Sequence, residues 1–408
     1  MQRLLPILLS QAMGLACGVI GIRLTSHWIA PADYGNYGIF LSFTPLGMWV
    51  VHSGLIKYVG RHWADASSRP AILRMAASQM IKKLPWLMAA TGIVSFASSA
   101  DLHGLRLWPV LFVASALLSG ASVAQTALQA ASEHWKDFAV SSVGSLSRSF
   151  VPPLLYVIAG GSLLTLEAGF CFHAIVLCAA GVWCIRSYFR AGISDTTLPS
   201  ASVYQGPLFV TLAIAGWAAG AMNRWIVAAF FGSAAAGYFT LASNIAVIVT
   251  GMLGVVFVQY FQPGIFAKAG NAATSREDLV RHVDHIAGLY WITALLGIVL
   301  LHYSTPWLVG RLIGANYEPA LDYILGAGCF GIAMFTGQFF HTLLLAGHRE
   351  RACGPVDLAA FAVMICGGLI SAWLGGEIFF LRWLLVTPLI PWLINRSMAR
   401  RYFFKPAL

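Results

Sequence analysis

Three arginines stand in stretches with almost no other charge: Arg23 in "CGVIGIRLTSHW", Arg148 in "GSLSRSFVPPLLY" and Arg224 in "AAGAMNRWIVAAFF". A guanidinium stays charged at any ordinary pH, and taking one into hydrocarbon costs about 2.5–3.5 kcal/mol on insertion scales. Each therefore needs a partner. All fifteen carboxylates fall in expected loops or near the ends of apolar runs, with Glu167 and Glu377 at the entry to two of them. None is expected deep enough to neutralise Arg148. Without a carboxylate, a buried arginine requires an aqueous cavity, backbone carbonyls or an anion from outside. Its planar fork of donors matches phosphate oxygens. The chemistry expected is capture of an anionic, phosphorylated substrate by Arg23, Arg148 and Arg224 in a cationic cavity, with no catalytic residue, metal ligand or cofactor. The plainer alternative is snorkelling to the interface, easiest for Arg23 and Arg382 near the outer ends of their segments. Gln11, Gln125, Asn223 and Asn244 could line the same cavity, or serve only in hydrogen bonds between helices.

The elements that must position these residues follow from composition. Of 408 residues, 59% are hydrophobic and 10% charged, against roughly 25% charged in a soluble domain. Apolar runs of spanning length recur throughout, so the chain reads as an all-α polytopic membrane protein. Helices satisfy their own backbone in lipid, and the alternating ten-residue strands of a barrel are not seen. Twelve spans are expected at roughly 4–28, 35–57, 84–101, 107–130, 139–160, 164–186, 207–231, 235–262, 285–306, 320–346, 355–375 and 378–396. The longest polar connections would be roughly 58–83, 187–206 and 263–284. The seven cysteines show no paired spacing and read as small packing residues.

Net charge is +10, which could suggest nucleic acid, but the lysines and arginines cluster in short loops. Nineteen of the 25 fall on the side of the N terminus, and only Arg106 and Arg311 lie opposite. By the positive-inside rule both termini are cytoplasmic, with no nucleic-acid partner.

An internal repeat organises the spans. Arg23 and Arg224, Tyr37 and Tyr238, and Ser42 and Ser243 are each 201 positions apart. "QTALQAA" (125–131) and "HTLLLAG" (341–347) form a second echo. Two parallel six-helix bundles are expected, residues 1–200 and 201–408, with a site between repeats as in many secondary transporters. No phosphate-cradling Gly-rich loop drives the chain with ATP, and no enzyme signature is present. "SEHWKDF" (132–138) reads as a solvated cytoplasmic turn, and His341 as a packed neutral histidine.

The stretches "IRLTSHWIAPADYGNYGIF" (22–40), "NRWIVAAFFGSAAAGYFTLASNIA" (223–246) and "LLLAGHRE" (343–350) resemble the polysaccharide-transport branch of the multidrug/oligosaccharidyl-lipid/polysaccharide flippase superfamily, the Wzx-like O-antigen translocases. The resemblance implies a V-shaped, alternating-access flippase. Its substrate would be an undecaprenyl-pyrophosphate-linked oligosaccharide, moved from the cytoplasmic to the periplasmic leaflet of the bacterial inner membrane. Membrane lipids, and the polysaccharide polymerase and chain-length machinery, would be its partners. Two other readings stay open: a multidrug or metabolite antiporter of the same superfamily, and a non-transporting scaffold for glycan assembly. Antiporters of this kind usually carry carboxylates deep in their N-terminal half, and none is expected here.

The topology has a direct check. Alkaline phosphatase fused after Gly161 should be active, and the same enzyme fused after Ser275 inactive. The reverse pattern would invert the orientation.

Overall fold

The computed structural model describes residues 4–63, 68–98, 102–190, 207–269, 275–308, 311–347 and 349–404. Among these residues there is no strand. The first half contains α1 (Leu4–Trp28), α2 (Pro31–Phe43), a π-helical turn at Gly47–Val51, α3 (Ser53–His62), α4 (Arg69–Ser98), α5 (Leu102–Ala130), α6 (His134–Ile158) and α7 (Leu163–Arg190). The second contains α8 (Pro207–Phe231), α9 (Ser233–Ala269), α10 (Arg276–Leu308), a 3₁₀ turn at Ala315–Tyr317, α11 (Ala320–Ala346), α12 (Glu350–Val386), a second π-helical turn at Pro391–Asn395 and α13 (Arg396–Phe404). Seven described helical stretches are long and apolar enough by themselves to cross a membrane.

The expected second span is broken: Pro31–Val51 and Ser53–Gly60 meet at an angle of 59°. Pro45, which donates no backbone hydrogen bond, stands at the break before the π turn. The last two spans form one run of helix divided at Gly376, whose φ of 64° and ψ of −154° suit a residue without a Cβ. Pro152 and Pro153 are buried within α6, which continues through them.

The expected polar connections are largely helix. Residues 58–83 hold the end of α3 and the start of α4, and 263–284 hold the end of α9 and the start of α10. Their amphipathic ends carry charge on one side while burying Tyr58, Ile72, Leu279 and Val283 on the other. Residues 64–67, 191–206 and 270–274 lie outside the described set, and so does the expected bundle boundary at 200/201.

The helices gather into two compact units, Met1–Ile29 with Tyr37–Trp217, and Ala30–Asn36 with Ala218–Leu408. In the first, α7 packs on α5 and α6, and α1 packs on α6. At one end Trp63, Leu55, Leu128 and Val140 form a closed core. The turn at 132–138 is tied to it more firmly than a solvated loop would be. Lys136 Nζ stands 2.6 Å from Glu133 Oε2, and the Tyr188 hydroxyl donates to Glu133 Oε1. Arg69 lies over the rings of Trp63 and Tyr188. Partial burial opposes ionisation of Glu133, but the hydrogen bonds from Lys136 and Tyr188 outweigh it and hold the carboxyl below its usual range. A lowered folded-state pKa means this clamp contributes above the unfolded carboxylate range and fades as pH falls through it.

In the second unit α11 packs on α9, α10 and α12, around Tyr290, Ile332, Phe339 and Phe340. Its remaining piece is the start of α2. A Cβ on Gly35 would fall 1.8 Å from the Ser233 carbonyl oxygen, and one on Gly237 would fall 2.0 Å from that of Pro31. The two backbones touch, and only hydrogen fits between them. Tyr34 is engaged in the same place: its hydroxyl accepts from Asn244 Nδ2 at 2.7 Å, and its ring meets Tyr317 edge-on.

Gly237→Val should therefore overpack this crossing and lower the unfolding midpoint in detergent, a loss of about 1–3 kcal/mol. Gly264→Ala, where an added Cβ meets nothing within 4 Å, is the control and should leave the midpoint unchanged.

Candidate functional site

Arg148 sits on α6, whose faces the packing assigns. Gly144 and Ser147 face α7, where an added Cβ on Gly144 would meet Leu177 and Ser147 Oγ lies 2.8 Å from His173 Nδ1. Ser145 and Ser149 face α1 at Gly14 and Gly21. Ser141 accepts from Gln125 Nε2 of α5 at 3.4 Å. The apolar exposed stripe is Val143, Leu146, Leu154 and Val157. At 3.6 residues per turn Arg148 falls roughly half a turn from that stripe, on the side of Ser141 and Ser145. Arg148 is nevertheless exposed. Arg148 is thus an exposed cation on the inward side of its helix. Its charge is felt by the neighbouring His173, and among the described residues no carboxylate pairs with it.

Arg23 stands differently. It is exposed too, but lies roughly half a turn from Gly14 and Gly21, the residues of α1 that pack on α6. It shares a stripe with exposed Leu5, Leu9 and Ile20. Arg382 is exposed over the ring of Phe379. Arg224 is half-buried on α8. Next to it Asn223 is buried, and its Nδ2 meets no acceptor among the described residues. A buried donor left without an acceptor costs about 1–3 kcal/mol and calls for a water or a ligand oxygen. Asn244, by contrast, is engaged by Tyr34, so its role in the structure is the helix-to-helix bond. Gln125 is half-buried beside Ser141, and Gln11 is half-buried on α1. Gln125 and Arg148 thus belong to one polar face of the first unit, and Asn223 and Arg224 to one short stretch of the second.

The carboxylates require a correction. Glu167 does not stand at a wet entrance: it is 1% exposed in α7, with Oε2 lacking a partner among the described residues. Glu377 accepts from the hydroxyl of Tyr323. Asp357 lies well inside α12, since that helix begins at Glu350, earlier than the apolar run. There it pairs with His341 Nδ1 at 2.9 Å and accepts from Asn395 Nδ2 at 3.4 Å. His341 is thus not merely packed but hydrogen-bonded to a carboxylate. The signal was present in the chain: antiparallel helices bring together residues equidistant from the turn, and His341 and Asp357 are centred on Arg349, which lies between α11 and α12.

The sequence matches a family model described as polysaccharide biosynthesis protein over residues 26–322. The chain belongs to that family. No curated protein matches it. Among solved structures, an inward-facing multidrug resistance MATE family transporter of the MOP superfamily is 13% identical, with a TM-score of 0.69, over 99% of this chain and 100% of that one. Lipid II flippase MurJ in an inward closed conformation is also 13% identical, with a TM-score of 0.65, over 98% of this chain and 86% of that one. A MOP superfamily transporter from Pyrococcus furiosus Vc1 is 12% identical, with a TM-score of 0.59, over 98% and 94%. At such identities the likeness is one of fold. This member of the polysaccharide biosynthesis family is a multi-pass membrane protein with the helical fold of MATE transporters and MurJ.

Exposure around Arg148 can be mapped with a charged, membrane-impermeant thiol reagent on a background without the native cysteines. Arg148→Cys and Ser145→Cys should label, whereas Leu146→Cys, on the apolar stripe, should not. Equal labelling at all three would dissolve the distinction between the two faces.

Proposed function

We propose that the protein is a flippase for a polyprenyl-pyrophosphate-linked oligosaccharide, a surface-polysaccharide repeat unit such as that of O-antigen. It would carry this substrate from the cytoplasmic to the periplasmic leaflet of the bacterial inner membrane by alternating access. Both termini would then be cytoplasmic. The observation that carries the reading is Arg148, an exposed cation on the inward side of α6 without a carboxylate partner among the described residues. A diphosphate meeting such a group gains charge-assisted hydrogen bonds that water only partly replaces. In this reading Arg224, with the orphaned amide of Asn223 beside it, offers a second anion contact, while Arg23, on the exposed apolar stripe of α1, is left to the interface. The residues bind and shield the charge, and the polyprenyl tail remains in lipid. No bond is made or broken. Membership of a polysaccharide biosynthesis family supports the glycan, and likeness in fold to a protein named for flipping lipid II supports the lipid carrier.

A second reading, a proton-linked antiporter of small molecules, is favoured by the His341–Asp357 pair, a titratable couple placed within the second unit. The two readings separate by experiment. In a flippase-deficient bacterium, Arg148→Ala and Arg224→Ala should reach the membrane at wild-type level yet cut surface glycan display more than ten-fold. Lipid-linked glycan should accumulate inside. One lost charge-assisted contact of about 1.5–3 kcal/mol corresponds to that range. Arg148→Lys should recover part of the export. Full export by both alanine variants would remove these arginines from the mechanism, and drug efflux without glycan export would favour the antiporter.

A further inference from the structure

A second cationic feature lies away from these arginines. In the second unit a cavity of about 200 Å³ opens where four elements converge. Lys268 and Ala269 come from the end of α9, and Ser275, Arg276 and Leu279 from the start of α10. Ala346, Gly347 and Arg349 follow the end of α11, and Phe403 closes the floor from α13. A single water needs roughly 10–15 Å³ of such space, so the cavity admits a group the size of a phosphate or diphosphate. Its floor is apolar and closed, since Leu279, Ala346 and Phe403 are all buried. Gly347 keeps it so, because an added Cβ would come 2.4 Å from the Phe403 ring.

Three cations, Lys268, Arg276 and Arg349, thus line one cavity, and among the described residues no acidic one is in its lining. The nearby carboxylates are engaged elsewhere. Glu277 and Asp278 approach Arg281 at 3.8 and 3.6 Å, and Asp278 also accepts from Ser275 Oγ at 2.7 Å. Asp284 takes both Arg396 and Arg400. The cavity collects positive charge from three separate elements.

A second observation fixes the depth. Tyr260 and Phe266, on the last turns of α9 before Lys268, are exposed, as is Phe404 next to the floor residue Phe403. Exposed aromatic rings beside a cationic rim mark the headgroup level of a bilayer. The positive-inside count puts this end on the cytoplasmic side, where anionic lipids attract basic clusters.

We infer that this cavity is a binding site for the phosphate group of an anionic membrane lipid at the cytoplasmic surface. It is separate from Arg148 and independent of whether the protein transports glycan. The same chemistry would be served by a soluble phosphate or diphosphate, so the test has arms for both sources.

The experiment uses the full chain in phosphatidylcholine nanodiscs, with and without added phosphatidylglycerol, and follows the thermal unfolding midpoint. Phosphatidylglycerol should raise the midpoint of the wild type. The triple variant Lys268→Gln/Arg276→Gln/Arg349→Gln should unfold like wild type in phosphatidylcholine but respond only at much higher phosphatidylglycerol. The expected loss is roughly five-fold per cation, on the order of a hundred-fold for three. Arg281→Gln, outside the cavity, should keep the full response. In a parallel arm inorganic pyrophosphate is added to phosphatidylcholine nanodiscs. Protection there that the triple variant abolishes, without a phosphatidylglycerol effect, would overturn the lipid as occupant and assign the site to a soluble anion. Equal response of wild type and triple variant to both probes overturns the site altogether. If the triple variant is unstable in phosphatidylcholine, Arg276→Lys, which keeps the charge but loses the fork, must still weaken the response, or the inference fails.

Discussion

In hydrocarbon there is no water to finish an incomplete hydrogen bond or to dissolve a charge, and the arrangement of this protein follows from that constraint. Backbone groups are closed within helices. Where a helix is interrupted, at Pro45 and the π-helical turns, the interruption lies among packed neighbours, with Gly47 and Leu46 buried. Side chains obey the same rule in graded fashion. Serines and threonines bond back to their own helix, as Thr91 does to Leu87 and Thr336 to Ile332. Two carboxylates are placed against a donor, Asp357 against His341 and Glu377 against Tyr323, while Glu167 keeps one oxygen without a partner among the described residues. Arg148 is handled differently: it is exposed on the inward side of α6, with no carboxylate paired to it among the described residues.

The two units use different means at their basic ends. The first joins Glu133, Lys136, Tyr188 and Arg69 into a clamp of hydrogen bonds and ring contacts. The second joins Arg396 and Arg400 to one aspartate, Asp284, and seals the end with α13. Both tie charged residues to the amphipathic ends of helices.

Much of this was legible in the chain. Repeated apolar runs gave the helices, and the equal spacing of Arg23 with Arg224 and of Tyr37 with Tyr238 gave the repetition. What escaped was local and depended on tertiary packing. Hydropathy places the start of a span where polarity falls, so it missed that α4 and α12 begin well before their apolar stretches, at Arg69 and Glu350. That error placed Asp357 at a span edge and hid its pairing with His341. Glu167 was misjudged for a related reason: closeness to a helix end along the chain says nothing of what covers it, and here it is almost wholly enclosed. Arg23 and Arg148 look alike in sequence, and only the faces of α1 and α6 tell them apart.

The start of α2 carries a consequence for biosynthesis. Residues 30–36 belong to the second compact unit, although the rest of that unit begins at Ala218. Tyr34 waits for Asn244, 210 positions later, and Gly35 for the backbone at Ser233. During translation the first unit can close around its own helices while this short segment still lacks its partners, since a contact so distant in sequence cannot form until both ends exist. The second unit is thus completed by a piece made almost at the beginning. A chain cut between its halves would leave one fragment with a tyrosine and a bare glycine backbone in search of a surface, and the other with a gap of matching shape.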